Sequence, residues 1–110
     1  MTTTLTTKKC QACASAEGKL TDTQIAELMG QVADWRVENG ELRRTFKFKD
    51  NHESIAFVNA TAWISHSEDH HPDIELGYNK VTMRYSTHSV GGLTENDFIC
   101  AAKVNALLSV

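Results

Sequence analysis

The sequence has a single proline, no long apolar run and no basic cluster, and each shortage excludes a class of function. Eleven Lys and Arg against fourteen Asp and Glu give a net charge of −3, so no face is available to neutralise a run of phosphates. Lys8-Lys9 and Arg43-Arg44 are isolated pairs that read as solvated surface. No stretch approaches the ~20 apolar residues that cross a bilayer, and MTTTLTTKK has no apolar core of the kind a secretory signal carries. Three cysteines form an odd set without an export signal, which points to a reducing cytoplasm rather than a disulfide framework. Cys10 and Cys13 make a C-x-x-C, but half a zinc knuckle needs a second pair and Cys100 alone cannot supply it; Cys100 reads as a small core residue. What is present, 110 residues with 41% hydrophobic, suffices for one core. The expectation is a soluble, cytoplasmic, single-domain protein with no nucleic-acid or membrane partner.

Residues 1–19, rich in Thr, Lys, Ala and Ser, read as a flexible leader, and residues 20–110 as the domain. Thr21 with Gln24 forms a capping box ahead of Ile25, Leu28, Met29 and Val32 at helical spacing. Trp35 and Val37 alternate up to Asn39-Gly40, a hairpin signal, and Leu42, Phe46 and Phe48 share one parity beyond it. Asp50 and Glu53 cap a second helix that runs to about Glu68. Being apolar around most of its girth, this helix is expected at the centre, with Trp63 in the core. Pro72 ends it. Ile74 and Leu76, then Val81, Met83 and Tyr85, alternate in two more strands, and Thr94 caps a last helix. The order α-β-β-α-β-β-α predicts an α+β fold, one four-stranded antiparallel sheet covered by helices on one face. Such a sheet leaves edges open, which predicts a homo-oligomer, a dimer or tetramer.

Four of the five histidines fall within residues 66–88, and His70-His71 precede the proline. His66 and His70 have the i, i+4 spacing of a helical zinc pair, with Glu68, Asp69 or His88 as a third ligand, but the H-E-x-x-H pattern is absent. Proton transfer is the alternative, because imidazole titrates near neutrality and a pair can supply an acid and a base without a metal or an organic cofactor. The bland alternative is surface histidine at a helix end and a strand end, the reading given to His52. Parity on the fourth strand sets His88 on its polar side near its end, where three of these histidines can meet at one rim.

His66, His70-His71-Pro72, Tyr78, His88 and Asp97, at their spacings, together with "YNKV" and "STHSVGGLTENDF", resemble the signature of the pterin-4a-carbinolamine dehydratases over residues 20–108. The resemblance implies dehydration of 4a-hydroxytetrahydropterin to quinonoid dihydropterin, which recycles the pterin of aromatic amino acid hydroxylases. It implies catalytic roles for His70, His71 and His88, His71 mainly orienting the pterin, and substrate-binding roles for His66, Pro72, Tyr78 and Asp97. Metal and cofactor are both expected to be absent. At His66, animal members carry a glutamate. Family resemblance also brings two rivals: a dimerisation or binding module whose pocket is vestigial, and a role in molybdopterin-linked metabolism.

Overall fold

A computed structural model describes residues 4–11 and 18–108, and its elements begin where the sequence supplies caps. Helix α1, Asp22–Leu28, starts from a capping box in which Thr21 accepts from the Gln24 backbone and Gln24 reaches back to Thr21. Strands β1, Arg36–Glu38, and β2, Glu41–Lys47, are joined by Asn39 and Gly40, both at positive φ (53° and 75°), as a two-residue hairpin of this twist requires. Helix α2, Asn51–Glu68, opens on Asp50, whose carboxylate accepts from the Glu53 backbone at 2.9 Å. It is followed by β3, Asp73–Leu76, β4, Lys80–Tyr85, and helix α3, Glu95–Leu107.

The strands form one antiparallel sheet in the order β1-β2-β4-β3. Leu42, Phe46, Val81, Met83 and Tyr85 share its inner face, and Leu42 pairs with Tyr85 and Phe46 with Val81. Together with Trp35, Phe57, Ile64 and the buried side of α3 they make the core. Burying a side chain of this class stabilises by about 1.5–3 kcal/mol. The opposite face carries Arg43, Thr45, Thr82 and Arg84, with Thr45 bonded to Thr82 at 2.8 Å and Arg84 paired with Glu75. The α+β, one-sheet arrangement expected from the sequence is the one found.

Three expectations need correction. The central helix is α3, whose residues Asn96 to Ala102 are all buried, not α2. Helix α2 buries only a stripe through Phe57, Thr61, Ile64 and Ser65, so Trp63, expected in the core, is 70% exposed. An apolar girth cannot all face inward when one side of a helix has no neighbour. The leader is also not uniformly loose: Leu5 is 2% exposed within the core cluster, and residues 8–11 run against α3. Cys13 lies outside the described residues.

Candidate active site

The helix-to-strand junction fixes the first histidines. Helix α2 stops because Asp69 takes a left-handed conformation (φ 51°), its N–H and that of His70 both donating to the Ser65 carbonyl. That reversal carries His70 off the helix. His66 therefore stays on α2 beside Trp63, with ring centroids 5.3 Å apart, while His70 turns toward α3. The helical zinc pair of the sequence reading is not formed, and among the described residues no group of three metal-ligating side chains gathers.

His70 is held on two sides. Its Nε2 lies 2.6 Å from Asp97 Oδ1, and its ring stacks on Tyr85 at 5.9 Å with 8° between planes. Asp97 is fully buried, and its second oxygen accepts from the Thr87 hydroxyl and the Thr94 backbone N–H, both at 2.9 Å. The Thr87 and Thr94 hydroxyls are themselves 2.9 Å apart. All three partners can donate to the carboxylate, so a neutral His70 presents N–H at Nε2 and leaves Nδ1 as its acceptor. Asp97 thus caps α3 and fixes a tautomer through one carboxylate. Beneath it, burial pushes the Tyr85 phenol well above its ordinary range and keeps it neutral.

His88 is reached differently from the strand-parity expectation. Strand β4 ends at Tyr85, and His88 opens a tight turn, His88–Val90. Thr87 and Gly92 bridge the base of this turn, with Thr87 N–H to the Gly92 carbonyl at 2.8 Å. Gly91 closes it at φ 66°, a conformation for which glycine is suited. The result is an exposed imidazole on a short, doubly anchored loop.

His70, His71 and His88 line one cavity of about 310 Å³, with Asp69, Ser86, Thr87, Ser89, Gln11 and Asn96. That is the lower end of the roughly 300–1,000 Å³ typical of small-molecule sites. Asp97 lies behind the wall as the support of His70. Pro72, partly buried, terminates the His70-His71 junction without lining the cavity. Two sequence candidates are not brought to it within one chain. His66 is exposed on α2, and Tyr78, 69% exposed, sits in the β3–β4 turn at the far end of β4, where its carbonyl accepts from the Ser54 hydroxyl at 3.2 Å. The sequence reading missed Tyr85, Thr87, Gln11 and Asn96. Thr87 precedes a signature histidine and was findable, whereas Gln11 carries no local signal.

Glu68, next to this region, is structural. Burial alone would raise its carboxyl, but Lys103 at 2.8 Å, the Cys10 backbone N–H at 2.8 Å and Lys9 outweigh burial and hold it down to about 2. Cys10 and Cys100 have sulfurs 3.7 Å apart; that contact, with burial, keeps the Cys100 thiol protonated and unreactive.

The sequence profile of the pterin 4 alpha carbinolamine dehydratase family matches residues 18–107. A provisionally named pterin-4-alpha-carbinolamine dehydratase of Nitrosospira multiformis is 50% identical over 106 residues, covering 96% of this chain and 94% of that protein. Among solved structures, a transcriptional coactivator/pterin dehydratase from Brucella melitensis superimposes with a TM-score of 0.77 at 33% identity, over 81% of this chain and 97% of that one. A pterin dehydratase-like protein described as a RuBisCO assembly factor in the alpha-carboxysome superimposes with a TM-score of 0.58 at 28% identity, over 70% of this chain and 92% of that one.

Proposed function

Because the chain belongs to the pterin-4a-carbinolamine dehydratase family, whose members are hydro-lyases, we propose that it dehydrates 4a-hydroxytetrahydropterin to quinonoid dihydropterin and water. The observation that carries the proposal is the His70–Asp97 pair at 2.6 Å on the wall of a cavity that His71 and His88 also line.

The chemistry asks little of the protein. The lone pair of the ring nitrogen next to the hydroxyl-bearing carbon forms a C=N bond as the C–O bond breaks. The departing hydroxyl takes a proton and leaves as water, and the nitrogen gives up its own. Nothing is oxidised or reduced, and two side chains that move protons suffice, contributing about 10²–10⁴-fold. His70, with Nε2–H committed to Asp97, is the base through Nδ1. His88, exposed on its loop, is the acid for the leaving hydroxyl, and His71 orients the ring. Asp97 is a positioning residue for His70, and Pro72 shapes the junction. His66 and Tyr78, away from this cavity, touch substrate only if a second copy brings them to it.

A homo-oligomer goes with this reading. All four residues of β3 are exposed on the sheet edge, Ile74 and Leu76 among them, and Trp63 is bare on α2. An open edge that bares two apolar side chains and an exposed tryptophan are features a second subunit covers. Recycling the pterin of an aromatic amino acid hydroxylase is the physiological role we attach to the reaction. The likeness to an assembly factor favours one alternative, a partner-binding module that makes no use of the cavity.

Purified protein, without added metal, is expected to speed the ultraviolet decay of 4a-hydroxytetrahydropterin, and His88→Ala to lose most of that acceleration while staying folded. No acceleration by the wild type rejects the dehydratase reading. Recovery of a stable heteromeric partner by that inactive protein would then favour the binding module.

A further inference from the structure

We propose that Cys10 and Cys100 form an oxidative modification site: a hydroperoxide oxidises Cys10, and Cys100 then closes a disulfide within the chain. The proposal stands apart from the dehydratase reading and concerns two groups that the reaction does not use. The sulfurs lie 3.7 Å apart although 90 positions separate them in sequence.

Both cysteines sit on backbone that is tied down. Cys100 belongs to α3 and lies in the core cluster. On the other strand of chain, Leu5 is in the core, and Lys8 pairs with Glu95 at 2.9 Å. The Cys10 N–H donates to Glu68 at 2.8 Å, and the next N–H, that of Gln11, donates to Asn96 Oδ1 at 2.9 Å. Asn96 and Cys100 are four apart on one face of α3, so the bond that ties Gln11 to this helix also sets Cys10 beside Cys100. The Cys10 S–H donates to the Asn96 carbonyl at 3.7 Å, which leaves the Cys100 S–H to donate to the Cys10 sulfur. Closing that contact to a bond of about 2 Å asks the sulfurs to approach by under ~2 Å, within the reach of side-chain rotation at Cys10.

Exposure orders the steps. Cys10 is partly exposed and Cys100 is fully buried, so a hydroperoxide meets Cys10 first. The Cys10 sulfur attacks one peroxide oxygen; an S–O bond forms, the O–O bond breaks, and the thiol proton leaves with the second oxygen as water. Cys10 is then a sulfenic acid. The Cys100 sulfur attacks the Cys10 sulfur, the S–S bond forms, and the S–O bond breaks. The departing hydroxide takes the Cys100 proton and leaves as a second water. Two thiols are thus oxidised by two electrons and one hydrogen peroxide is reduced to two waters. Cys100, protonated and sealed from solvent, reacts with no outside reagent; its one route is the neighbour that contact presents to it. A reducing thiol reverses the bond.

The test treats the folded, fully reduced full chain with hydrogen peroxide, then maps thiols and linked peptides by mass spectrometry without reduction. The expected product has lost two hydrogens and yields one linked pair containing Cys10 and Cys100, which dithiothreitol separates. Because the bond would close a loop of 90 positions, the oxidised protein is expected to melt about 10 °C or more above the reduced one. Cys10→Ser, a near-isosteric change at a partly exposed position, should leave Cys100 a free thiol under the same treatment. A link from Cys10 to Cys13, a link between chains, Cys10 carried on to sulfinic acid, or no oxidation at all overturns the proposal. So does oxidation of Cys100 at an undiminished rate in Cys10→Ser. A Cys10–Cys100 link that forms without raising the melting temperature overturns the claim that the native fold accommodates it. None of these outcomes bears on whether the protein dehydrates a pterin.

Discussion

Replacing Asp97 with asparagine tests the tautomer argument at its root. The carboxylate accepts three hydrogen bonds: one from His70 on Oδ1, and two, from Thr87 and the Thr94 N–H, on Oδ2. Asparagine has one oxygen. A backbone N–H can only donate, so the oxygen remains with Thr94, and the amide NH₂ turns to His70. Facing a donor, Nε2 must become the acceptor, and the imidazole proton moves to Nδ1. The reverse orientation leaves the buried Thr94 N–H without an acceptor at a cost of about 1–3 kcal/mol, which disfavours it. The fold should therefore survive with a loss of about 1–2 kcal/mol, as one charge-assisted bond becomes neutral. Proton abstraction at Nδ1 is lost, and kcat should fall about 100-fold, the lower end of general base catalysis. An aspartate-to-asparagine change behind the histidine of a serine protease triad costs about 10⁴ by the same tautomer inversion, which bounds the effect from above. Urea unfolding reports stability, nitrogen NMR of the His70 ring reports the tautomer, and decay of the carbinolamine absorbance reports rate. A folded variant with an unmoved ring proton and a rate within threefold of wild type would refute the reasoning.

Three further outcomes follow from the same geometry. Glu68 is held at about 2 against an ordinary 4.5, so the stability it contributes is complete above pH 4.5 and is lost as pH falls toward 2. The shift bounds that contribution at about 3 kcal/mol; screening at the exposed Lys9 brings it nearer 2, and unfolding of Glu68→Gln at pH 5, 4 and 3 should show a flatter acid limb than wild type. His66→Ala, remote from the cavity within one chain, should keep kcat/KM within about twofold unless a partner copy supplies that face; a tenfold loss in a species shown to be monomeric contradicts the site as drawn. In sedimentation velocity at micromolar concentration the wild type should run well above its 12.2 kDa chain mass, and Leu76→Lys or Trp63→Glu should shift it downward; a wild-type monomer would remove the oligomer.

Local patterns carried far because they are local physics. Thr21 and Gln24, Asn39-Gly40 and Asp50 state their caps and turns within four residues, and strand parity through Leu42, Phe46, Val81, Met83 and Tyr85 identifies the inner face without any partner being known. Spacing gathered the histidines, and family resemblance grouped His70, His71, His88 and Asp97 with His66, Pro72 and Tyr78 without separating those that share a cavity from those that do not. Where packing chooses between sides, pattern failed. The apolar girth of α2 could not say which side meets the core, and Trp63 ended in solvent. The spacing of His66 and His70 could not foretell that a left-handed Asp69 would separate them.

Sequence alone determined the order of elements, the sheet face that turns inward and the clustering of four histidines within residues 66–88, since propensity, capping and periodicity act over a few positions. Tertiary structure decided which of those residues share a cavity, that the His70 ring meets Asp97, and that Gln11, outside the residues the family profile matches, lines the same cavity. Those outcomes depend on contacts across 27 positions from His70 to Asp97 and 85 from Gln11 to Asn96. No local preference encodes a hydrogen bond of that reach; it forms only when the core has brought the ends of the chain together.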